Sequence, residues 1–381
     1  MKSFGTIIRV YKNIDWILFA SVMALVSFGL ITINSFGEAN GFFEKQLLSL
    51  GISLVAFFVA ALFDFRFLKN SKVLMILYGG VCFILGLLFI FGTVAGGAKS
   101  WFNFGALAFQ PVDIAKVVIL LVLAKYFAKR HVQIADFSHI VVSGIYAGII
   151  FLLVLIQPDF GSAMIIFLIW LGMVLIAGLN WKHLLGLFGI GVLSLLLLWV
   201  FLFADYQKQR VMTFFDPTAD LQGTGYNANQ ARIALGSGQL IGKGVGYGSQ
   251  SRLQFLPESE TDFILSAFGE EWGFVGLLIL FFLYGVVICR LISIAMKGES
   301  NFEMLFTGGV AIYFFAHFFI HVGINVGILP VTGTTLPFMS YGGSHLLAEF
   351  TALGIVMGMR RHERIAHKSD ITHEFLGAER V

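Results

Sequence analysis
The sequence predicts an all-α polytopic membrane protein, one integral-membrane domain over residues 1–381. Three observations carry that reading. Hydrophobic residues make up 58% of the chain and charged residues only 12%, against about 25% charge in a soluble domain. Apolar stretches long enough to cross a bilayer, roughly 20 residues each, recur ten times. Basic residues also fall on alternate connections, as the positive-inside rule requires. The mean hydropathy of +0.87 rules out a soluble, disordered or coiled-coil chain. No basic stripe points to nucleic acid.

The ten expected spans lie at about 16–33, 47–62, 73–94, 112–127, 140–156, 162–179, 184–203, 263–289, 306–324 and 346–359. The first is too long for a signal-peptide core of about 7–15 residues and is expected to be a retained helix. With the N-terminus inside, the cytoplasmic connections hold Lys2, Arg9 and Lys12; Arg66, Lys69 and Lys72; Lys125, Lys129 and Arg130; Lys182; Arg290 and Lys297. The tail at about 360–381 adds Arg360, Arg361, Arg364, Lys368 and Arg380. The short outside connections hold only Lys45 and Lys99. Both termini are therefore expected in the cytoplasm. The long connection at about 204–262, between the seventh and eighth spans, is expected outside; long loops escape the charge rule. Cys82 and Cys289 sit in apolar runs and read as small hydrophobes.

Polar clusters gather at the outside ends of the spans, where charges at membrane depth point to function. The stretch FLPESETDF at 255–263 puts Asp262 where the chain re-enters the membrane. Ser259 to Asp262 also fits a capping box, with Ser259 as N-cap. Capping and a general base in a half-dry site are both open at this point. Glu270 and Glu271 follow, and are expected to pair with a base from the loop. Asp113 and Lys116 share one face of the fourth span; they read either as a buried ion pair or as a site for an anionic substrate. Trp101 precedes them, an interface anchor in the plainer reading. In QPDFGSA at 157–163, Asp159 is placed to cap the sixth span or line a cavity.

In the long loop, six glycines between 236 and 248 surround Lys243. The spacing is not that of a Walker A loop, but backbone N–H groups with Lys or Arg can hold a diphosphate. A surface or re-entrant loop is the plainer reading. The irregular stretch at 325–345 carries Pro330 and Pro337; irregular backbone at membrane depth is tolerated only where it lines a cavity or is covered by protein. His345 and Glu349 are spaced to pair on the tenth span. His317 and His321 share a face of the ninth and read as satisfied core residues before metal ligands.

Together these motifs resemble the SEDS family (shape, elongation, division and sporulation; RodA, FtsW and SpoVE). The matching segments are Asp15–Trp16, Lys45–Gln46, AKSWFNFGALAFQPVDIAK, QPDFGSA, YQKQRVMTFFDP, FLPESETDFILSAFGEEWGFVG and LPVTGTTLPFMSYGGS. They follow the family's order along nearly the whole chain, and GYNANQ, GKG and LQFLPE look most like its RodA branch. The resemblance implies a glycosyltransferase that polymerises lipid II into β-1,4 glycan on the outer face of the bacterial cytoplasmic membrane, for elongation and rod shape. It implies Asp262 as general base. It implies substrate contacts among Lys116, Asp113, Lys45, Gln46, Trp101, Asp159, Arg210, Lys243, Glu258, Thr261 and Ser344. The diphosphate admits a divalent cation, Mg or Mn. Expected partners are a class B penicillin-binding protein and the elongation proteins MreC, MreD, RodZ and MreB. The chain departs from the family pattern at Asp113 (family Glu), Lys45 (Arg), Glu260 (His) and His345 (Ser), and in Thr335-Leu336-Pro337 (Pro-Leu-Pro). A lipid II flippase and a non-catalytic scaffold of the synthesis complex are the alternatives. A flippase predicts charges spread through the membrane rather than gathered at one face.

Overall fold
A computed structural model describes residues 14–37, 41–95, 98–103, 108–129, 137–178 and 224–377, with scattered positions in 183–214. Helices dominate because, in lipid, each backbone polar group must be satisfied within the segment. In chain order they are α1 (Trp16–Ser35), α2 (Phe42–Leu62), α3 (Ser71–Phe91), α4 (Pro111–Ala128), α5 (Phe137–Ile156), α6 (Phe160–Ile176), α7 (Thr224–Ser237), α8 (Ser249–Arg252), α9 (Ile264–Met296), α10 (Asn301–Val326) and α11 (Gly343–Gly377). Short polar side chains set several starts. Asp15 caps α1 through Leu18 N–H, Asn70 caps α3, and Ser300 caps α10 through Glu303 N–H.

Six described helices are long and apolar enough to cross a membrane: Trp16–Ser35, Phe42–Leu62, Ser71–Phe91, Ser138–Ile156, Ile264–Met296 and Asn301–Val326. This is a multi-pass membrane protein. Three more of the ten expected spans appear as helices outside that set. The fourth, α4, carries Asp113, Lys116 and Lys125; the sixth, α6, has 17 residues; the tenth begins the 35-residue α11. Most of the seventh, with Lys182, lies outside the described residues, as do Lys2, Arg9, Lys12, Arg130, Arg380 and most of YQKQRVMTFFDP. Exposed Ile76, Phe83, Ile90 and Phe282 give the bundle an apolar skin.

Two features depart from the expected fold. A small antiparallel sheet, β1 (Thr93–Ala95), β2 (Ala98–Asn103) and β3 (Ala108–Phe109), fills the connection before α4. Also, α9 is broken at Gly273, whose φ of 66° and ψ of −166° are not helical. Unbroken, its 33 residues would run roughly 50 Å, longer than a bilayer core of about 30 Å. The break leaves Phe274 to Met296 to cross, roughly 34 Å at 1.5 Å per residue.

The glycine-rich loop explains the break. Gly242 (φ 79°) lies where a Cβ would overlap the Glu271 carbonyl, and Gly273 lies against Gly242 N. Phe274 N–H donates to Gln239 O at 2.9 Å and Val275 N–H to Leu240 O at 3.0 Å. The loop thus pairs its backbone with the unwound turn of α9. Elsewhere α10, the most enclosed of the six apolar helices, packs against α4, α6, α9 and α11. Gly354 and Gly358 let α11 approach the backbone of α2 at Phe57 and Ala60, the small-residue contact expected between membrane helices.

A candidate active site where five helices begin
The starts of α2, α4, α6, α9 and α11 meet at one end of the bundle. Gln46 of α2 donates from Nε2 to Ser340 O at 3.1 Å and accepts Gly342 N–H at 3.1 Å. Ser344 Oγ accepts Gln110 N–H at 3.1 Å, tying the start of α11 to the N-cap of α4. Gln110 Nε2 donates to Asp159 Oδ2 at 3.1 Å, and Asp159 Oδ1 caps α6 through Ser162 N–H at 3.0 Å. Tyr341 N–H donates to Glu260 O at 2.8 Å, joining the start of α11 to the turn before α9. Helix N-termini carry partial positive charge, so an end built from five of them favours an anionic ligand.

Asp262 sits half-buried in that turn. The capping box does not form. Helix α9 begins at Ile264 with Phe263 as N-cap and no side-chain cap. The reason is local: Phe263 N–H and Thr261 N–H both go to Glu258 O, and Glu258 has a φ of 50°. The chain closes a turn of its own before the helix starts. The turn is pinned from outside. Asn325 Nδ2 donates to Asp262 O at 3.0 Å, and Ser340 Oγ donates to Thr261 O at 2.8 Å. A Cβ on Gly333 would stand 3.6 Å from Asp262 Oδ2, so the 331–336 segment passes beside the carboxylate. Burial raises the neighbouring Glu260 carboxyl above its ordinary value, and the Glu258 charge adds to that.

The remaining expected contacts divide. Lys45 is exposed at the start of α2, beside the fully engaged Gln46. Glu258 accepts Thr261 Oγ1 at 3.0 Å. Trp101 is half-buried on β2, where its carbonyl accepts Thr93 Oγ1. Lys116 and Asp113 form a buried ion pair at 3.1 Å, with side chains 3% and 2% exposed. His345 lies against the same Asp113 oxygen at 3.3 Å and against Glu349 Oε1 at 2.9 Å.

Lys243 pairs with a carboxylate of α9. Its ammonium lies 2.6 Å from Glu270 Oε1, which also takes Ser249 Oγ and Gln250 N–H. Glu271 accepts Gly246 N–H at 2.9 Å. Of the six glycines, Gly238, Gly242 and Gly248 approach α9, and the N–H groups of Gly246 and Gln250 donate to Glu271 and Glu270. Arg210 lies outside the described residues. His317 and His321 hold the carbonyls of Thr335 and Thr334 through Nδ1, at 3.1 and 2.8 Å. Among the described residues, no three His, Cys, Asp or Glu side chains are grouped to hold a metal ion. No protein cage for the expected divalent cation is formed there.

A family model described as "Cell cycle protein", covering FtsW, RodA and SpoVE, matches residues 9–365. The chain belongs to the FtsW/RodA/SpoVE family. Among relatives in this family, the peptidoglycan glycosyltransferase MrdB of Escherichia coli K12 is 36% identical over 363 residues, covering 94% of this chain and 96% of its own. A probable peptidoglycan glycosyltransferase FtsW of Thiomicrospira cyclica is 34% identical over 377 residues, with 93% of each covered. A chain from the solved structure "Structural coordination of polymerization and crosslinking by a peptidoglycan synthase complex" matches with a TM-score of 0.78 and 31% identity, over 91% of this chain and 98% of that one. The rod shape determining protein RodA of Thermus thermophilus matches with a TM-score of 0.69 and 30% identity, over 91% and 96%.

Within this FtsW/RodA/SpoVE frame, sequence reasoning missed Asn325 and Ser340 as the residues that hold the Asp262 turn. A signal was present for Asn325. With Tyr313, His317 and His321 it makes a polar stripe at four-residue spacing on an otherwise apolar helix. Such a stripe must face polar partners.

Proposed function
We propose that this chain is a peptidoglycan glycosyltransferase that polymerises lipid II, with Asp262 as its general base. One observation carries the assignment of the base. Asp262 stands at the end where five helices begin, in a turn held by its backbone, and does not cap the helix that follows. The Asp262 carboxylate takes the proton from the acceptor GlcNAc 4-hydroxyl. That oxygen attacks the MurNAc anomeric carbon of the lipid-linked partner. The bond to the polyprenyl diphosphate breaks, its electron pair leaves with the phosphate oxygen, and inversion gives the β-1,4 link. The helix N-termini and exposed Lys45 supply positive potential for the leaving diphosphate. Lys116 and Asp113 form the floor of the donor side, with Asp159, Ser344 and Gln46 fixing the helix starts around it. Glu258, Thr261 and Trp101 are proposed substrate contacts, and Arg210 and Lys243 of the long loop are proposed cations for the leaving group. A divalent cation enters with the diphosphate rather than in a protein cage.

The finer topology belongs to the same reading: ten spans, both termini cytoplasmic, the 204–262 connection outside, and the Asp262 end facing out. The distribution of Lys and Arg supports it. A class B penicillin-binding protein is the proposed crosslinking partner, in keeping with the polymerization and crosslinking of the matched complex. MreC, MreD, RodZ and MreB complete the proposed assembly.

The test is polymerisation of fluorescent lipid II by the purified protein with its penicillin-binding partner, whose transpeptidase site is blocked. Losing a general base lowers the rate about 10²–10⁴-fold. Asp262→Asn should therefore abolish the glycan ladder while the protein elutes as wild type. More than about a tenth of wild-type product would sink the assignment of the base.

A further inference from the structure
Beneath the site lies a quartet of ionisable side chains that the proposed chemistry does not use in full. Lys116 and Asp113 come from α4, and His345 and Glu349 from α11. All four are nearly sealed from solvent, Glu349 completely. His345 is the link. Its Nδ1 lies 3.3 Å from Asp113 Oδ1, and its Nε2 lies 2.9 Å from Glu349 Oε1. The other Glu349 oxygen accepts Phe338 N–H at 2.9 Å.

The Nδ1 contact is a hydrogen bond, and the Nε2 contact is an ion-pair approach without hydrogen-bond alignment. A carboxylate oxygen close to each ring nitrogen favours the cationic ring over the neutral one. With the ring protonated the quartet is neutral, Lys116 and His345 against Asp113 and Glu349, and pairing is what lowers the cost of charges at membrane depth. The other titratable groups facing His345 are Tyr313 and His317 of α10, with ring centroids 6.4 and 4.7 Å away. The Nδ1 of His317 is engaged with Thr335 O.

We propose that His345 is a positioning residue of the glycosyltransferase, held as an imidazolium that joins the Asp113–Lys116 pair to Glu349. Through Glu349 it also holds the 338–341 segment, whose Ser340 and Tyr341 pin the turn carrying Asp262. One protonated ring thus keeps the donor side and the base in register. The proposal rests on the reading of Asp113 and Lys116 as the donor-side floor.

Two experiments test it. The first is ¹⁵N NMR of ring-labelled wild type in lipid nanodiscs, compared with His345→Gln to assign the signal. Two protonated ring nitrogens on His345 are expected near neutral pH; one protonated and one bare nitrogen would overturn the proposal. The second is a charge-balance cycle in the lipid II assay. His345→Gln leaves one excess negative charge, and kcat/KM should fall by roughly tenfold or more, within the usual range for coupled buried groups. His345→Gln with Glu349→Gln restores neutrality and should recover most of that loss. A double variant no better than His345→Gln alone, with both proteins folded, would overturn the proposal. Failure of the Asp262 reading would show separately, as equal ladders for wild type and Asp262→Asn, and would leave the NMR and rescue results standing.

Discussion
Asn325 shows how a side chain with no role in bond-making governs a site. Its amide donates to Asp262 O and His321 O, and its oxygen accepts Ser266 N–H at 3.1 Å and Ser266 Oγ at 2.7 Å. It is fully buried. Asn325→Leu keeps the branched shape at a somewhat larger volume and removes all four bonds. Each buried group left unsatisfied costs about 1–3 kcal/mol, so thermal unfolding should come at a clearly lower temperature. Polymerisation should also fall by more than the folded fraction explains, because the Asp262 turn loses its anchor. At this scale the sequence was legible where local charge decided the matter. The Asp113–Lys116 pair, the Asp159 cap and the Glu270 ion pair all read correctly from the sequence. It misled where pattern and tertiary contact competed. Ser259 to Asp262 fits a capping box, yet the Glu258 turn delays the helix. Lys243 reads as a cation among glycines, and only the fold shows that Glu270 stands beside it.

Among the elements, hydropathy sufficed for the apolar helices, because a lipid-facing helix must be apolar over most of its length. It did not foresee the three short strands before α4, whose pairing depends on register rather than composition. Nor did it foresee the break in α9. Gly273 sits in an apolar run that a window average treats as continuous, and only its partner loop shows why the helix unwinds. That pairing makes a prediction. Gly242→Ala places a methyl against the Glu271 carbonyl and imposes a side chain at a φ of 79°. The strain and overlap should together destabilise the protein by about 1–3 kcal/mol. Limited proteolysis should then cut the 238–248 loop faster than in wild type. An unchanged cleavage rate would mean that the loop and α9 are not locked as described.

For the molecule as a whole, one carboxylate ties three helices together at the end opposite the candidate site. Asp15, at the start of α1, meets Arg290 of α9 through paired contacts at 3.2 and 2.5 Å, and Arg360 of α11 at 3.6 Å. Burial pushes the Asp15 carboxyl upward, but hydrogen bonds from Arg290 and Leu18 N–H, with the charges of Arg290 and Arg360, outweigh it and hold it below its ordinary value. The sign follows. A depressed acid contributes stability above its unfolded pKa, near 3.8, and loses that contribution as pH falls through the folded value. Asp15→Asn should melt below wild type at neutral pH, and the gap should close as the pH drops below the ordinary carboxylate range. A gap that persists in acid would assign the effect to packing rather than charge. The resemblance in chain order, more than any one motif, made the overall architecture legible, because similar apolar spans do not by themselves say which helices touch.

The unwound turn at Gly273 has one more consequence. Only the part of α9 beyond it is the length of a bilayer core, so under the proposed function the Asp262 end lies at the level of the lipid headgroups, where a polyprenyl diphosphate would float. Such an enzyme meets its substrate by lateral diffusion. The quantity that governs its rate is then the mole fraction of that lipid in the surface, not its concentration in the surrounding water. Added inert phospholipid dilutes the reaction as surely as added buffer dilutes an ordinary one.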